Sequence, residues 1–198
     1  MRFWRDSRMQ NEIEEYLTKA KEIHGDLCTG ILMGTRMSLA GMRALGLDPK
    51  KRNRDLIVFV EVDRCMTDAV QAVTGCSLGH RNLKYFDYGK FAAVFYDTAS
   101  NRAVRVSPSR EREGAGDINE RWRDAPENEL LRLEQVSVQV REDDLPGKPK
   151  SRIPCSRCGE IIMDNRGVLI NEAVVCRPCV EGAYYKPLEV EGTGSGGV

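Results

Sequence analysis

Two cysteine pairs, "CSRC" at Cys155–Cys158 and "CRPC" at Cys176–Cys179, stand with 17 residues between them. This C-x2-C-x17-C-x2-C spacing lies in the range of a structural zinc site. A CxxC turn brings two thiolates to one side of a knuckle, about 2.3 Å from a shared metal, and two knuckles complete a tetrahedron. Gly159 and Pro178 suit such turns. The spacer "GEIIMDNRGVLINEAVV" reads as two short strands around an Asn165-Arg166-Gly167 turn, the plan of a zinc ribbon. About thirty residues cannot build a sufficient core unaided, so the metal holds the fold. Four Cys ligands leave no open position for catalysis. Disulfides and a redox CxxC are the competing readings. A redox CxxC usually opens a helix in a thioredoxin-like setting, and no such pattern surrounds these pairs. The total of seven cysteines is odd, which favours reduced thiols used as ligands.

The chain before the ribbon is organised differently. Ile13, Tyr16, Leu17, Ala20 and Ile23 fall at helical spacing. His24-Gly25 breaks that helix, and a second is expected from Cys28–Thr29 to Gly46. Along it, Gly30, Gly34, Ser38 and Gly41 recur every three or four residues. Interior glycine costs about 1 kcal/mol against alanine. The stripe therefore reads as tight packing against the helix backbone, with a ligand cleft as the alternative.

"LIVFVEV" at 56–62 is a buried strand, and "MTDAVQAVT" at 66–74 a helix stopped by Gly75. "NLKYFDYG" and "KFAAVFYD" read as two strands joined by a turn near Tyr88-Gly89, and "RAVRVSP" as a third. Residues 109–117 read as a loop. The stretch from 118 to 134 reads as helix in two pieces broken by Pro126, and 135–142 as a strand. The order predicts an α+β fold, a mixed β-sheet covered by helices, with a small C-terminal zinc-ribbon module. The domains are expected at 1–142, a linker at 143–154, the ribbon at 155–186 and a flexible tail at 187–198.

"HGDLCTG", His24 to Gly30, is the other stretch with chemistry in it. Cys28 lies at a helix start, where backbone N–H groups and the dipole favour a thiolate. His24 comes within reach across the break. Cys65 follows the buried strand, where α/β-type sites gather polar groups. Cys76 lies at the far end of the next helix. The plain alternative for each is a small buried hydrophobe. His80 reads as a loop histidine. Gly30 and Gly34 lack the arrangement of a phosphate loop or a dinucleotide fingerprint.

"HGDLCTGILMGTRMSLAGMRALGL" at 24–47 and "EVDRCMTDAVQAVTGCSLGHRNLKYFDYGKFAAVFYD" at 61–97 resemble the two motif blocks of the FmdE family, which takes its name from formylmethanofuran dehydrogenase. The resemblance covers roughly residues 10–186. It implies an α+β fold, a homodimer and an association with a molybdenum or tungsten oxidoreductase, without a secure catalytic role for the FmdE chain itself. The family's usual opening is H-G-H-x-C-P-G. Here His24 and Cys28 match it, Asp26 replaces the second His and Thr29 the Pro; Cys65, Cys76 and Lys90 also match family positions. A His-to-Asp change keeps a ligand but hardens the site towards oxygen.

Three functions follow. In the first, His24, Cys28 and Cys65, with Asp26, bind a transition metal, zinc, iron or nickel, in addition to the structural Zn2+. In the second, Cys28 is a nucleophile and His24 its base. In the third, the ribbon recognises nucleic acid or protein, using Arg152, Arg157, Arg166 and Arg177. Nucleic acid is not favoured, because 30 Lys and Arg balance 30 Asp and Glu. No apolar run approaches a bilayer span of about 18 residues, and the first residues lack the apolar core of a secretory signal, so no membrane partner and a cytoplasmic location are expected.

Overall fold

The computed structural model describes residues 7–109 and 117–188. The chain divides into two compact units, Met1–Val140 and Arg141–Val198. The loop expected at 109–117 and the tail expected at 187–198 lie almost wholly outside the described residues.

The first unit is α+β. Its elements run α1 (Ser7–His24), α2 (Thr29–Leu45), β1 (Leu56–Val60), α3 (Met66–Thr74), β2 (Leu83–Tyr85), β3 (Ala93–Asp97), β4 (Arg102–Pro108), α4 (Ile118–Asp124), α5 (Glu127–Leu130) and β5 (Leu131–Val136). The five strands form one sheet in the order β2-β1-β3-β4-β5. The β1–β2 pair is parallel and the other pairs are antiparallel, so the sheet is mixed. Leu56, Val58 and Val60 of β1, Phe95 of β3 and Val104 and Val106 of β4 turn one face towards the helices. There α2 is the central element, buried on nearly all sides from Ile31 to Met42. Such a helix has no solvent stripe and must be enclosed by its neighbours. Its small residues make that possible: a Cβ on Gly34 would strike Met66 of α3, and one on Gly41 would strike the Phe95 ring. The glycine stripe is therefore a packing feature against both helix and sheet.

Two strand expectations in this unit need correction. β2 and β3 are not a hairpin. β1 lies between them, and residues 86–92 cross its end; a tight turn joins only neighbouring strands, about 4.8 Å apart. β5 runs Leu131–Val136 rather than 135–142, because "LRLEQV" pairs with β4 from Pro108 to Ala103, and residues 137–142 carry no strand. Helix-favouring Leu, Arg and Glu yield there to the ladder. The break at Pro126 between α4 and α5 is as expected.

The second unit holds a 3-10 turn at Glu142–Asp144, β6 (Arg152–Pro154), β7 (Ile161–Met163), β8 (Val168–Ile170), β9 (Ala173–Val175) and α6 (Arg177–Glu181). β6 pairs with β7 and β8 with β9. The ribbon is thus two hairpins rather than one pair around the Asn165 turn, and its first strand comes from residues assigned to a linker. Each knuckle is built on its own hairpin, which is why a strand is needed before Cys155. Among the described residues no helix is long and apolar enough to cross a membrane.

Candidate metal centres

In the second unit, Cys155–Cys158 occupies the turn between β6 and β7, closed by Cys155 N–H on the Glu160 carbonyl at 2.8 Å and by Gly159 at φ 78°. Cys176 caps α6, with Pro178 in its first turn. The four sulfurs lie within 4.8 Å of one another. Cys158 Sγ and Cys176 Sγ are 3.8 Å apart. A tetrahedral zinc with bonds of about 2.3 Å sets its sulfurs about 3.8 Å apart. The Cys155 sulfur also accepts the N–H groups of Arg157 at 3.4 Å and Cys176 at 3.2 Å. The N–H of Cys158, then that of Cys176, bring the Cys155 thiol down to about 6. Hydrogen bonding with Cys176 and then Cys158 pushes Cys179 up to about 12. Thiols this close cannot all ionise without a cation, and a dication removes the conflict.

In the first unit, three element ends meet beyond the carboxyl end of β1. α1 ends at His24, and Gly25, at φ 101°, turns the chain away. Cys28 is the N-cap of α2 and Cys65 the N-cap of α3. Their side chains approach because Gly30 faces them: a Cβ there would lie 3.0 Å from Cys65 Cβ and 3.6 Å from either sulfur. The donor atoms of His24, Cys28 and Cys65 all lie within 4.8 Å of one another, and all three residues are half-buried. Cys28 Sγ is 3.9 Å from His24 Nε2.

His24 Nδ1 lies 2.8 Å from Asp68 Oδ2. An ionised carboxylate only accepts, so Nδ1–H donates and the Nε2 lone pair of the neutral ring faces the thiols. The hydrogen bond to Asp68 raises the His24 pKa. Burial pushes the Cys28 thiol up, but the N–H groups of Ile31 and Gly30, the Cys65 thiol and His24 together outweigh it, and the net direction is down. Cys65 goes up, through burial and its hydrogen bond to Cys28. Of the two sulfurs, Cys28 is therefore the one that ionises more readily.

Asp26 is not among the three mutually close donors; its carboxylate is 81% exposed and 3.5 Å from His24 Nε2. Cys76 is at the opposite end of α3, buried, its thiol pushed up to about 11 by burial. It packs as a small apolar residue. His80 sits in an exposed loop against Ser77. Asp68 was not singled out from sequence. The signal that finds it is C-x2-D, Cys65 to Asp68, which puts thiol and carboxylate on one face of the first turn of α3.

Comparison with known proteins gives consistent matches. The family model described as "FmdE, Molybdenum formylmethanofuran dehydrogenase operon" matches residues 23–143. A prokaryotic dksA/traR C4-type zinc finger matches residues 149–185. A curated protein of Archaeoglobus fulgidus named "Probable S-adenosyl-L-methionine-binding protein" is 29% identical over 223 aligned residues, covering 92% of this chain. The chain spans 57% of that relative's length. A solved structure, a tungsten formylmethanofuran dehydrogenase FmdE-like protein from Syntrophus aciditrophicus, superposes with a TM-score of 0.62 at 26% identity, over 88% of this chain and 95% of the other.

Proposed function

The chain belongs to the FmdE family, and from that premise we propose that it is a metal-binding protein with two centres of different kinds. The four-cysteine centre is closed and structural. The second, on His24, Cys28 and Cys65, supplies three protein ligands to a transition metal and leaves a position open. The observation that carries this reading is the convergence of the three donors, with Asp68 fixing the imidazole behind them. Two thiolates and an imidazole suit zinc, iron or nickel. A metal so held supplies Lewis-acid or water-activating chemistry. The chain's part is to orient Nε2 through Asp68 and to favour the Cys28 thiolate with the first N–H groups of α2.

The open position suits an external ligand. The archaeal relative's name makes S-adenosyl-L-methionine, with its chelating amino-carboxylate, the first to try. The names of the family and of the solved relative support an accessory role beside a molybdenum or tungsten oxidoreductase, and the homodimer rests on the family resemblance alone.

One observation favours a second reading. Cys28, His24 and Asp68 follow one another as nucleophile, base and orienting carboxylate. That reading has no task for Cys65, which therefore discriminates the two.

The test is a Co2+ titration of metal-free protein, read by thiolate-to-cobalt absorption. Metal on the first unit should require both Cys28 and Cys65. Asp68→Asn should keep the ligands but weaken binding about 10–100-fold, leaving the ribbon's share of the signal unchanged. Wild-type affinity in Asp68→Asn, or a titration indifferent to Cys65→Ala, sinks the metal reading and leaves the thiol one.

A further inference from the structure

Glu61 is buried at the end of β1, yet it is a carboxylate on the sheet face away from the helices. It organises two cations at once. Its side chain takes Arg105 Nε and Nη2 on separate oxygens, each at 2.7 Å. Its backbone carbonyl accepts the N–H groups of Lys90 at 3.0 Å and Tyr88 at 3.3 Å. Gly89, at φ 62°, makes the turn between these two, and Ala92 N–H closes on the Lys90 carbonyl at 2.8 Å. The "DYGK" segment is therefore pinned over the end of β1, and Lys90 is presented beside Arg105.

Both residues line an open depression of about 420 Å³, with Arg132, Ser107 and Ser109. Among the described residues no carboxylate lines it. Among the described residues the acids touching these cations are Glu61, and Glu134, which sits 3.5 Å from Arg105 Nη1 and 2.6 Å from Arg132 Nη2. Three cations against two carboxylates leave one positive charge, and Lys90 makes no ion pair among the described residues. A bidentate Glu–Arg pair that is this buried is costly to desolvate and adds little stability over an apolar pair. It does hold a guanidinium in one orientation, as a preorganised site requires.

We propose that this depression binds a small oxyanion, the phosphate or carboxylate group of a ligand, with Lys90 and Arg132 as its charged donors and Arg105 as the fixed positive centre. The Ser107 and Ser109 hydroxyls complete the donor set. The site is separate from the thiol cluster and independent of any metal there.

The experiment is calorimetric titration of the full, metal-loaded chain with inorganic phosphate and, separately, with malonate, at low and high salt. The expected result is saturable binding that weakens with salt and falls at least tenfold in Lys90→Met/Arg132→Met. Both positions are solvent-facing, so folding is retained and is checked by the melting temperature. Tighter phosphate binding assigns a phosphorylated ligand, tighter malonate binding a carboxylate one. Cys28→Ala/Cys65→Ala should bind the anion as wild type does, whether or not the metal reading stands. Absence of saturable binding of either anion, binding undiminished in the double cation variant, or binding lost in the cysteine variant overturns the proposal.

Discussion

Removing zinc with a strong chelator unfolds the second unit and spares the first. Among the described residues the ribbon's buried apolar core is Cys155, Ile162 and Val175, and three of its four hairpin strands, β6, β7 and β8, carry exposed apolar side chains, Ile153, Ile161 and Leu169 among them. Its hairpins have strands of three residues each. Isolated hairpins of this size are marginal in water. Metal binding in such modules supplies about 10–16 kcal/mol, more than any other interaction the unit has. Amide resonances of residues 150–182 should collapse to random-coil positions on chelation while those of α1–α3 and the sheet stay dispersed. Cys176→Ser should do the same without a chelator. Persistence of the dispersed ribbon resonances in zinc-free protein would show that the metal is not structural.

Gly34→Val destabilises the first unit and disturbs the candidate centre at its edge. Valine's Cβ would stand 2.7 Å from the Met66 Cα and 2.9 Å from the Ala69 Cβ. Carbon atoms pack at about 3.5–4.0 Å, and the nearer obstacle is backbone, which cannot rotate aside. Helix propensity works the other way, by less than about 1 kcal/mol. Overpacking costs about 1–3 kcal/mol, so the net sign is a loss. An expected loss of about 2 kcal/mol lowers the unit's melting temperature by roughly 5–10 °C. Because α2 and α3 carry Cys28 and Cys65 at their starts, affinity for the second metal should fall as well. Gly79→Ala is the control: nothing lies within 4 Å of its added Cβ, and its effect should stay within about 0.5 kcal/mol. Equal melting temperatures for the two variants would mean that α2 and α3 are not held this close.

These two results rest on features of unequal visibility in the sequence. The ribbon was legible because zinc chemistry fixes ligand type and spacing, and the two CxxC pairs can hardly serve anything else. The glycine stripe was legible as close packing, but its partners were not: periodicity says that α2 is approached, not that α3 meets Gly34 and Phe95 meets Gly41. The hairpin misreading of residues 82–97 has the same origin. Gly89 marks a turn in either topology, and only the insertion of β1 between β2 and β3 separates them. β5 was hidden because "LRLEQV" has the composition of a helix and becomes a strand by pairing with β4. At the thiol cluster, Cys28 and Cys65 stood out by chemistry and by their places at helix starts. Asp68 did not, since one aspartate in a helix's first turn is ordinary N-terminal charge; its role depends on His24 arriving from 44 residues away.

The proposed function requires the first unit to hold a metal of its own. It is tested most directly by metal content per chain, by inductively coupled plasma mass spectrometry, on anaerobically purified wild type and Cys28→Ala/Cys65→Ala. Wild type should carry the ribbon zinc and a second metal, and the variant should keep the ribbon zinc alone. A single zinc in both proteins would contradict it.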